Sequence, residues 1–251
     1  MGFLTSTFLR KVLMKASGYY IYKIKDLPIG IDLWIDLENK IQIPLLTVFD
    51  IGANVGSFSE AMIQNHPNAK IFVFEPVQST YENLVKNLGN ISNVNFNKIA
   101  LGDTEEKVMI NFYEEENSVL NSLNPLAMNP ECGKKEEIEV QRGDEFCIRH
   151  NITHINLLKI DTEGFELNVL SGFSNMLKTN SIDLIYLETG FDLKNKRNTY
   201  FSKILDHLNE QGYQMFGLYE ISNWSICIGE NYGNALFIHS NITKDWGFVK
   251  R

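Results

Sequence analysis

The chain has 251 residues, 44 % hydrophobic and 22 % charged, enough for one large folded domain with a substantial core. Its formal net charge of -8 excludes a protein that draws its affinity from clustered Lys and Arg on a phosphate backbone, so no nucleic acid partner is expected. Cys132, Cys147 and Cys227 stand far apart, without a CxxC pair or zinc-type His spacing, and read as free thiols in a reducing compartment.

Residues 1–45 read as an N-terminal helical extension. Phe3, Leu4, Phe8, Val12 and Leu13 recur at helical spacing against Arg10, Lys11 and Lys15. Such a helix either packs on the fold or makes a weak membrane-surface contact. With no secretory leader and no long apolar run in the sequence, the expected location is cytoplasmic. Accordingly, the N-x-[ST] triplets carry no glycosylation meaning, and the Met1-Gly2…Ser6 myristoylation pattern is short enough to arise by chance.

From residue 46 to 251 short apolar runs alternate with helical patterns, which predicts stacked βα units and a mainly parallel sheet. Strands are expected at 46–51, 70–75, 94–101, 155–161, 182–188, 213–219 and 234–239, with helices in most of the gaps. Residues 102–142 break the rhythm with an acidic stretch flanked by strand-like runs at 108–113 and 137–141. This segment reads as an inserted hairpin or lid, a kind of excursion that is usually functional or mobile.

Phe49-Asp50-Ile51-Gly52-Ala53-Asn54-Val55-Gly56 carries a buried strand into glycines and then a helix over 58–64. Strand ends of open α/β sheets are where ligands settle, and glycines let the backbone approach what is bound. Counted from Gly52, the dinucleotide pattern G-x-G-x-x-G fails at Asn54 and Ser57. A pyrophosphate cradle is therefore disfavoured, while Asp50 and nearby backbone groups suit a methionine tail. Glu75, at the tip of the second strand and followed by Pro76, is placed to accept hydrogen bonds from two ribose hydroxyls. That feature suits NAD and adenosyl cofactors equally.

Several blocks in order resemble the FkbM family of S-adenosylmethionine-dependent methyltransferases: the loop just quoted, Phe74-Glu75-Pro76, Ala100-Leu101-Gly102-Asp103, and Leu158-Lys159-Ile160-Asp161-Thr162-Glu163-Gly164-Phe165-Glu166 running on to Val169-Leu170-Ser171-Gly172. The likeness extends from about Thr47 to Ser240. It implies a Rossmann-like class I methyltransferase fold, a mostly parallel seven-stranded α/β sheet with helices on both faces. It also implies S-adenosylmethionine as cofactor and O-methylation of a hydroxyl on a glycan, sugar or secondary metabolite, as in polysaccharide biosynthesis.

The cofactor set implied by loop and resemblance together is Asp50, Gly52, Ala53, Asn54, Gly56, Phe58, Glu75, Pro76, Ala100, Leu101, Asp103 and Asp161. Ala100 and Leu101 would lie along the adenine, with Asp103 near its amino group or simply in a turn after the strand. A hydroxyl acceptor must lose a proton as the new bond forms. Asp161, Glu163 and Glu188, at the ends of the fourth and fifth strands, are the catalytic candidates, with Asp161 favoured as base. Asp161 could instead touch the methionine end, and one of Asp161 and Glu163 could cap the following helix while the other pairs structurally.

No residue is assigned as a metal ligand, although three nearby acids suit a divalent cation. Among the histidines only His239 is worth testing as a base. Lys159, a cation inside a strand, needs a partner such as Asp50 or Glu75. Residues 117–122, Phe191 and residues 194–197 are candidate walls of the acceptor pocket. The competing readings are a nucleotide (NAD)-dependent oxidoreductase and a non-catalytic methyltransferase-fold binding protein.

Overall fold

The computed structural model describes residues 6–19, 22–112, 121–123, 134–221 and 231–244. Cys132, Cys227, Phe3, Leu4 and most of the 117–122 segment lie outside them. Two compact units divide the chain, Met1–Ile43 and Pro44–Arg251. In the first, helix α1 (Ser6–Ser17) is followed by a 3-10 turn (Ile24–Asp26) and by helix α2 (Leu33–Asp36), which continues into a π turn (Leu37–Ile41). Asp32 caps α2 by accepting from the Ile35 N–H at 3.0 Å. Buried Asp36 is paired with Lys40 and accepts from the Gly30 N–H.

The second unit holds strands β1 (Thr47–Ile51), β2 (Lys70–Phe74), β3 (Val94–Asn97), β4 (Ala100–Gly102), β5 (Glu106–Phe112), β6 (Lys134–Arg142), β7 (Ile155–Ile160), β8 (Ile182–Gly190), β9 (Tyr213–Tyr219) and β10 (Tyr232–His239). Between them run helices α3 (Ser57–Asn65), α4 (Gln78–Leu88), α5 (Gly143–Arg149), α6 (Glu166–Gly172), α7 (Ser174–Lys178) and α8 (Phe201–Glu210), with α9 (Ser240–Thr243) after the last strand.

The main sheet has the order β3-β2-β1-β7-β8-β10-β9. Every pairing in it is parallel except those of β10, which runs antiparallel to both β8 and β9. This is the expected Rossmann-like architecture. The run β1-β2-β3 builds outward on one side and β7-β8 on the other. Successive residues of β1 point to opposite faces: Asp50 meets Ser59 of α3 on one, and Phe49 meets Phe146 of α5 and Phe173, between α6 and α7, on the other. The reversal between β1 and β7 leaves a crevice at their carboxyl ends, the place where such sheets bind ligands.

Strands covered on both faces need nearly continuous apolar sequence, and β1, β2 and β7 are buried over almost their whole length. Their core is strongly aromatic. Phe49 lies 5.1 Å from Phe74 by ring centroid, and Phe146 meets Phe74 edge-on at 4.9 Å. Such pairs add about 0.5–1.5 kcal/mol beyond the area they bury. Cys147 sits in this core as a free thiol pushed up to about 12 by burial.

One predicted strand is corrected. Residues 94–101 form two strands in different sheets: β3 ends at Asn97, whose side-chain amide donates to the Val73 and Asn95 carbonyls. The chain then turns, and β4 pairs in parallel with β6 while β5 pairs antiparallel to β6. Ile99, Ala100 and Leu101 stay apolar because they pack on core, so periodicity alone hides the break. The inserted hairpin is thus the larger part of a three-stranded sheet with its own core of Val77, Ala100, Ile110, Phe112, Ile138 and Val140.

Candidate active site

The β1-to-α3 loop is shaped by backbone that only glycine tolerates at one point. Gly52 has φ +73°, and a Cβ there would stand 1.8 Å from the Asp161 carbonyl oxygen. The loops following β1 and β7 are therefore packed backbone to backbone. The Asp161 N–H donating to the Ile51 carbonyl at 3.0 Å ties them further. Asn54 is also left-handed, at φ 49°, a conformation Asn accepts more readily than most residues. Ala53 is buried in the same loop.

Asp50 points inward, wholly buried, and its charge is answered locally. Ser59 on α3 donates to Oδ2 at 2.6 Å, and Lys159 Nζ stands 2.9 Å from Oδ1. Lys159 also donates to the Gly52 carbonyl at 3.1 Å, lies 3.6 Å from Asp161 Oδ2 and sits over the Phe58 ring. Burial alone would lower the Lys159 pKa; Asp50 first and Asp161 second outweigh it and hold the group above its ordinary range. Of the two partners the sequence offered for Lys159, Asp50 holds the contact. Phe58 in turn stacks on Tyr186 of β8 at 6.0 Å.

Glu75 follows β2 and is buried. Its two oxygens accept from the Asn54 N–H at 3.2 Å and the Val77 N–H at 3.0 Å. Burial pushes its carboxyl up to about 7, against the opposing pull of those two donors and of Lys159. Each oxygen keeps a lone pair for a further donor. Pro76 lines a surface recess with Lys98, Lys107 and Ile138. Ala100 and Leu101 are buried in β4, and the Asp103 carboxylate accepts from Asn168 of α6 at 3.1 Å.

Across the crevice, the β7-to-α6 loop and β8 bring Asp161, Glu163 and Glu188 together, with carboxylate oxygens within 4.8 Å of one another. That spacing is also one a divalent cation can use. Glu163 has φ 54° and is gripped by Arg197, whose Nε donates at 2.7 Å and whose terminal nitrogen donates to the other oxygen. Asn198 donates to Glu188 and, at 3.3 Å, to Glu163. Burial first, then Asp161, raises Glu163 to about 7 despite Arg197. Burial, reinforced by Asp161 and Glu163, holds Glu188 well above the usual carboxylate range. Asp161 is the open member, its side chain 38 % exposed.

Neither Asp161 nor Glu163 caps α6, whose N-cap Phe165 makes no side-chain bond; Glu166 instead fastens the loop that precedes the helix. Its Oε1 accepts from the Thr162 N–H, the Thr162 hydroxyl and the Gly164 N–H at 3.0–3.2 Å, while Oε2 accepts from Thr199 at 2.5 Å. Glu166 is wholly buried and its pKa is raised by desolvation. Ser122, the described end of the 117–122 segment, donates to the Glu163 carbonyl at 2.6 Å and so ties the insertion to this loop.

The loop after β8 was only partly anticipated. Residues 194–197 were expected as pocket wall, and Arg197 does reach the acids. Asn195 belongs to that stretch, whereas Asn198 and Thr199 just beyond it carried no signal in the sequence. Asn195 is buried and shapes the turn, its carbonyl oxygen accepting from the Arg197 and Asn198 N–H groups while its amide donates to Asn198. Phe191 packs against Phe201. His239 is corrected as a base candidate: β10 is antiparallel, so its last residue pairs with Tyr213 at the start of β9, on the opposite sheet edge from the acids.

The family model for the methyltransferase FkbM domain matches residues 50–215. Methyltransferase 1 of Beauveria bassiana is 28 % identical over 145 residues, 51 % of this chain and 58 % of that protein. The hexuronic acid methyltransferase AglP of Haloferax volcanii is 26 % identical over 59 % of this chain and 58 % of its own length. The 2-O-methyltransferase NoeI of Sinorhizobium fredii is 23 % identical over 50 % of this chain and 56 % of its own. The matches thus span little more than half the length of each of these three relatives.

Proposed function

This chain belongs to the FkbM methyltransferase family, and from that premise we propose that it moves the methyl group of S-adenosylmethionine to a hydroxyl oxygen of a sugar, glycan or related small metabolite. The observation that carries the reading is one sheet edge with two unlike sides. On the β1-β2 side stand a glycine loop and the buried acceptor Glu75; on the β7-β8 side stands the cluster Asp161, Glu163 and Glu188. S-adenosylmethionine, when bound, supplies an electrophilic methyl group.

The residues fit that cofactor. Glu75 has lone pairs left for the ribose hydroxyls, and the tight Gly52 backbone leaves no side chain to obstruct the loop. Asp50 and Lys159 keep the floor of the loop rigid and nearly neutral. Ala100 and Leu101 would face the adenine, with Asp103, oriented by Asn168, toward its amino group.

On the other wall, transfer requires the acceptor oxygen to be held about 3 Å from the methyl carbon and in line with the leaving sulfur. Asp161, exposed enough to meet an acceptor, takes the hydroxyl proton on a carboxylate oxygen. Glu163 and Glu188 are pinned by Arg197 and Asn198 and orient the acceptor. Glu188, whose carboxyl burial raises well above its ordinary range, adds a polar group beside Asp161 for the acceptor. Two relatives whose names specify a hexuronic acid and a 2-O position support an oxygen acceptor on a sugar.

Methyl transfer from labelled S-adenosylmethionine to a panel of hexoses, hexuronic acids and their glycosides tests the reading. The expected result is transfer to at least one acceptor, with Asp161→Asn lowering kcat by about 10²- to 10⁴-fold and leaving cofactor affinity within a few-fold. An unchanged kcat would remove Asp161 from the role of base.

A further inference from the structure

The N-terminal unit carries a surface that methyl transfer does not use. In α1, at about 100° per residue, Val12, Leu13 and Ala16 fall on one side and Arg10 and Lys11 on the other, with Phe8 and Lys15 together along the boundary between them. The apolar side is open: Phe8 is 54 % exposed, and Val12 and Leu13 are 47 % each. Tyr19, Tyr22, Ile24, Ile29 and Ile31 follow it as further exposed apolar side chains, so half of the large ones exposed among the described residues lie between Phe8 and Ile31.

Charge is segregated in the same place. The first 25 residues contain Arg10, Lys11, Lys15, Lys23 and Lys25 and no Asp or Glu, in a chain whose net charge is -8. A soluble amphipathic helix ordinarily buries its apolar face, whereas the described side chains Phe8, Val12 and Leu13 of α1 are exposed. A helix of 12 residues is about 18 Å long, too short for a bilayer core of about 30 Å, and among the described residues no helix is long and apolar enough to cross a membrane.

We propose that α1 and the segment through Ile31 dock on the surface of an anionic lipid bilayer, with Phe8, Val12 and Leu13 entering the headgroup–acyl boundary and Arg10, Lys11 and Lys15 meeting anionic headgroups. An interfacial helix combines these two features: an apolar face buried about 5–10 Å deep and a basic polar face. Isolated helices of this length are marginal in water, and the boundary supplies apolar contact for the exposed Phe8, Val12 and Leu13. The surrounding acidic chain would keep the remaining surface off the same membrane. The inference stands apart from the methyl-transfer reading.

Co-sedimentation of the full chain with vesicles tests it. The vesicles are phosphatidylcholine alone or phosphatidylcholine with about one third phosphatidylglycerol. The expected result is binding to the anionic vesicles, weak binding to the neutral ones, and at least tenfold weaker binding in about 0.5 M salt. Replacing Arg10, Lys11 and Lys15 together by Glu should weaken binding by roughly a hundredfold or more. Phe8→Ser with Leu13→Ser should weaken it on both vesicle types.

S-adenosylmethionine titration of the same preparations checks that each variant is folded, and its failure in the wild type would count against the enzyme reading alone. Absence of vesicle binding by the wild-type chain would overturn the proposal, as would binding untouched by the charge reversal. A dimer in solution that Phe8→Ser dissociates, with no vesicle binding, would overturn it in favour of a second copy on this face.

Discussion

The carboxyl edge of the parallel sheet and the inserted three-stranded sheet use the same ion-pair chemistry under opposite conditions. Lys159 and Asp50 meet with side chains 8 % and 0 % exposed, whereas Lys107 and Glu137, across β5 and β6, meet at 68 % and 60 %. Both are Lys–carboxylate pairs at about 3 Å. In the buried pair each charge has lost its water and depends on its partner; in the exposed pair water already answers both. Within the second unit the Lys159–Asp50 pair therefore puts electrostatic cost at the sheet edge of the proposed active site.

Four substitutions break that contrast in descending order. Gly52→Ala places a Cβ 1.8 Å from the Asp161 carbonyl in left-handed backbone, forcing apart the loops that both walls of the crevice share. It should cost about 3–5 kcal/mol in denaturant unfolding and abolish cofactor binding. Lys159→Met leaves Asp50 buried with only Ser59 as donor and should cost about 3–5 kcal/mol; Lys159→Met with Asp50→Asn should recover part of that loss.

Glu166→Ala strands the Thr162 and Gly164 N–H groups and should cost about 2–3 kcal/mol, with kcat falling more than cofactor affinity because the Asp161 to Glu163 loop loosens. Glu166→Gln should recover most of it, since its carbonyl oxygen still accepts from both. Lys107→Ala, at the exposed pair, should move stability by less than about 0.5 kcal/mol. A comparable loss at Lys107 and Lys159 in thermal or chemical unfolding would erase the distinction between the two regions.

The two regions were also unequally legible in the sequence. At the parallel edge, strands buried on both faces spell themselves out as apolar runs, and Asp50, Gly52, Glu75 and Asp161 are found by their position after those runs. In the insertion, Ile99 to Leu101 looked like the tail of β3 because strand periodicity reports burial, not which sheet a strand joins. The partners of the acids were hidden for a related reason. Asn198 and Thr199 continue the polar stretch past the expected wall at 194–197 without any mark of their own, yet Asn198 is buried and Thr199 bonds Glu166. Nothing local in a sequence marks a polar residue whose partner lies on another strand. The same limit made His239 look available, since the antiparallel direction of β10 is a property of the sheet.

The central claim is that Glu75, held ready at the β2 tip, binds the cofactor as a carboxylate. Its folded-state pKa of about 7 is raised above the ordinary 4.5, so the free protein loses stability from this group as pH rises toward and through 7, and keeps it below about 4.5. Cofactor hydroxyls pair best with the ionised form, so affinity should move the other way. The most direct measurement is calorimetric titration of S-adenosylmethionine at pH 6 and pH 7.5 on the wild type and on Glu75→Gln, with NAD⁺ as control. The account predicts wild-type binding several-fold tighter at pH 7.5, weak and nearly pH-independent binding by Glu75→Gln, and no heat with NAD⁺. Undiminished binding by Glu75→Gln, or binding of NAD⁺ alone, would contradict it.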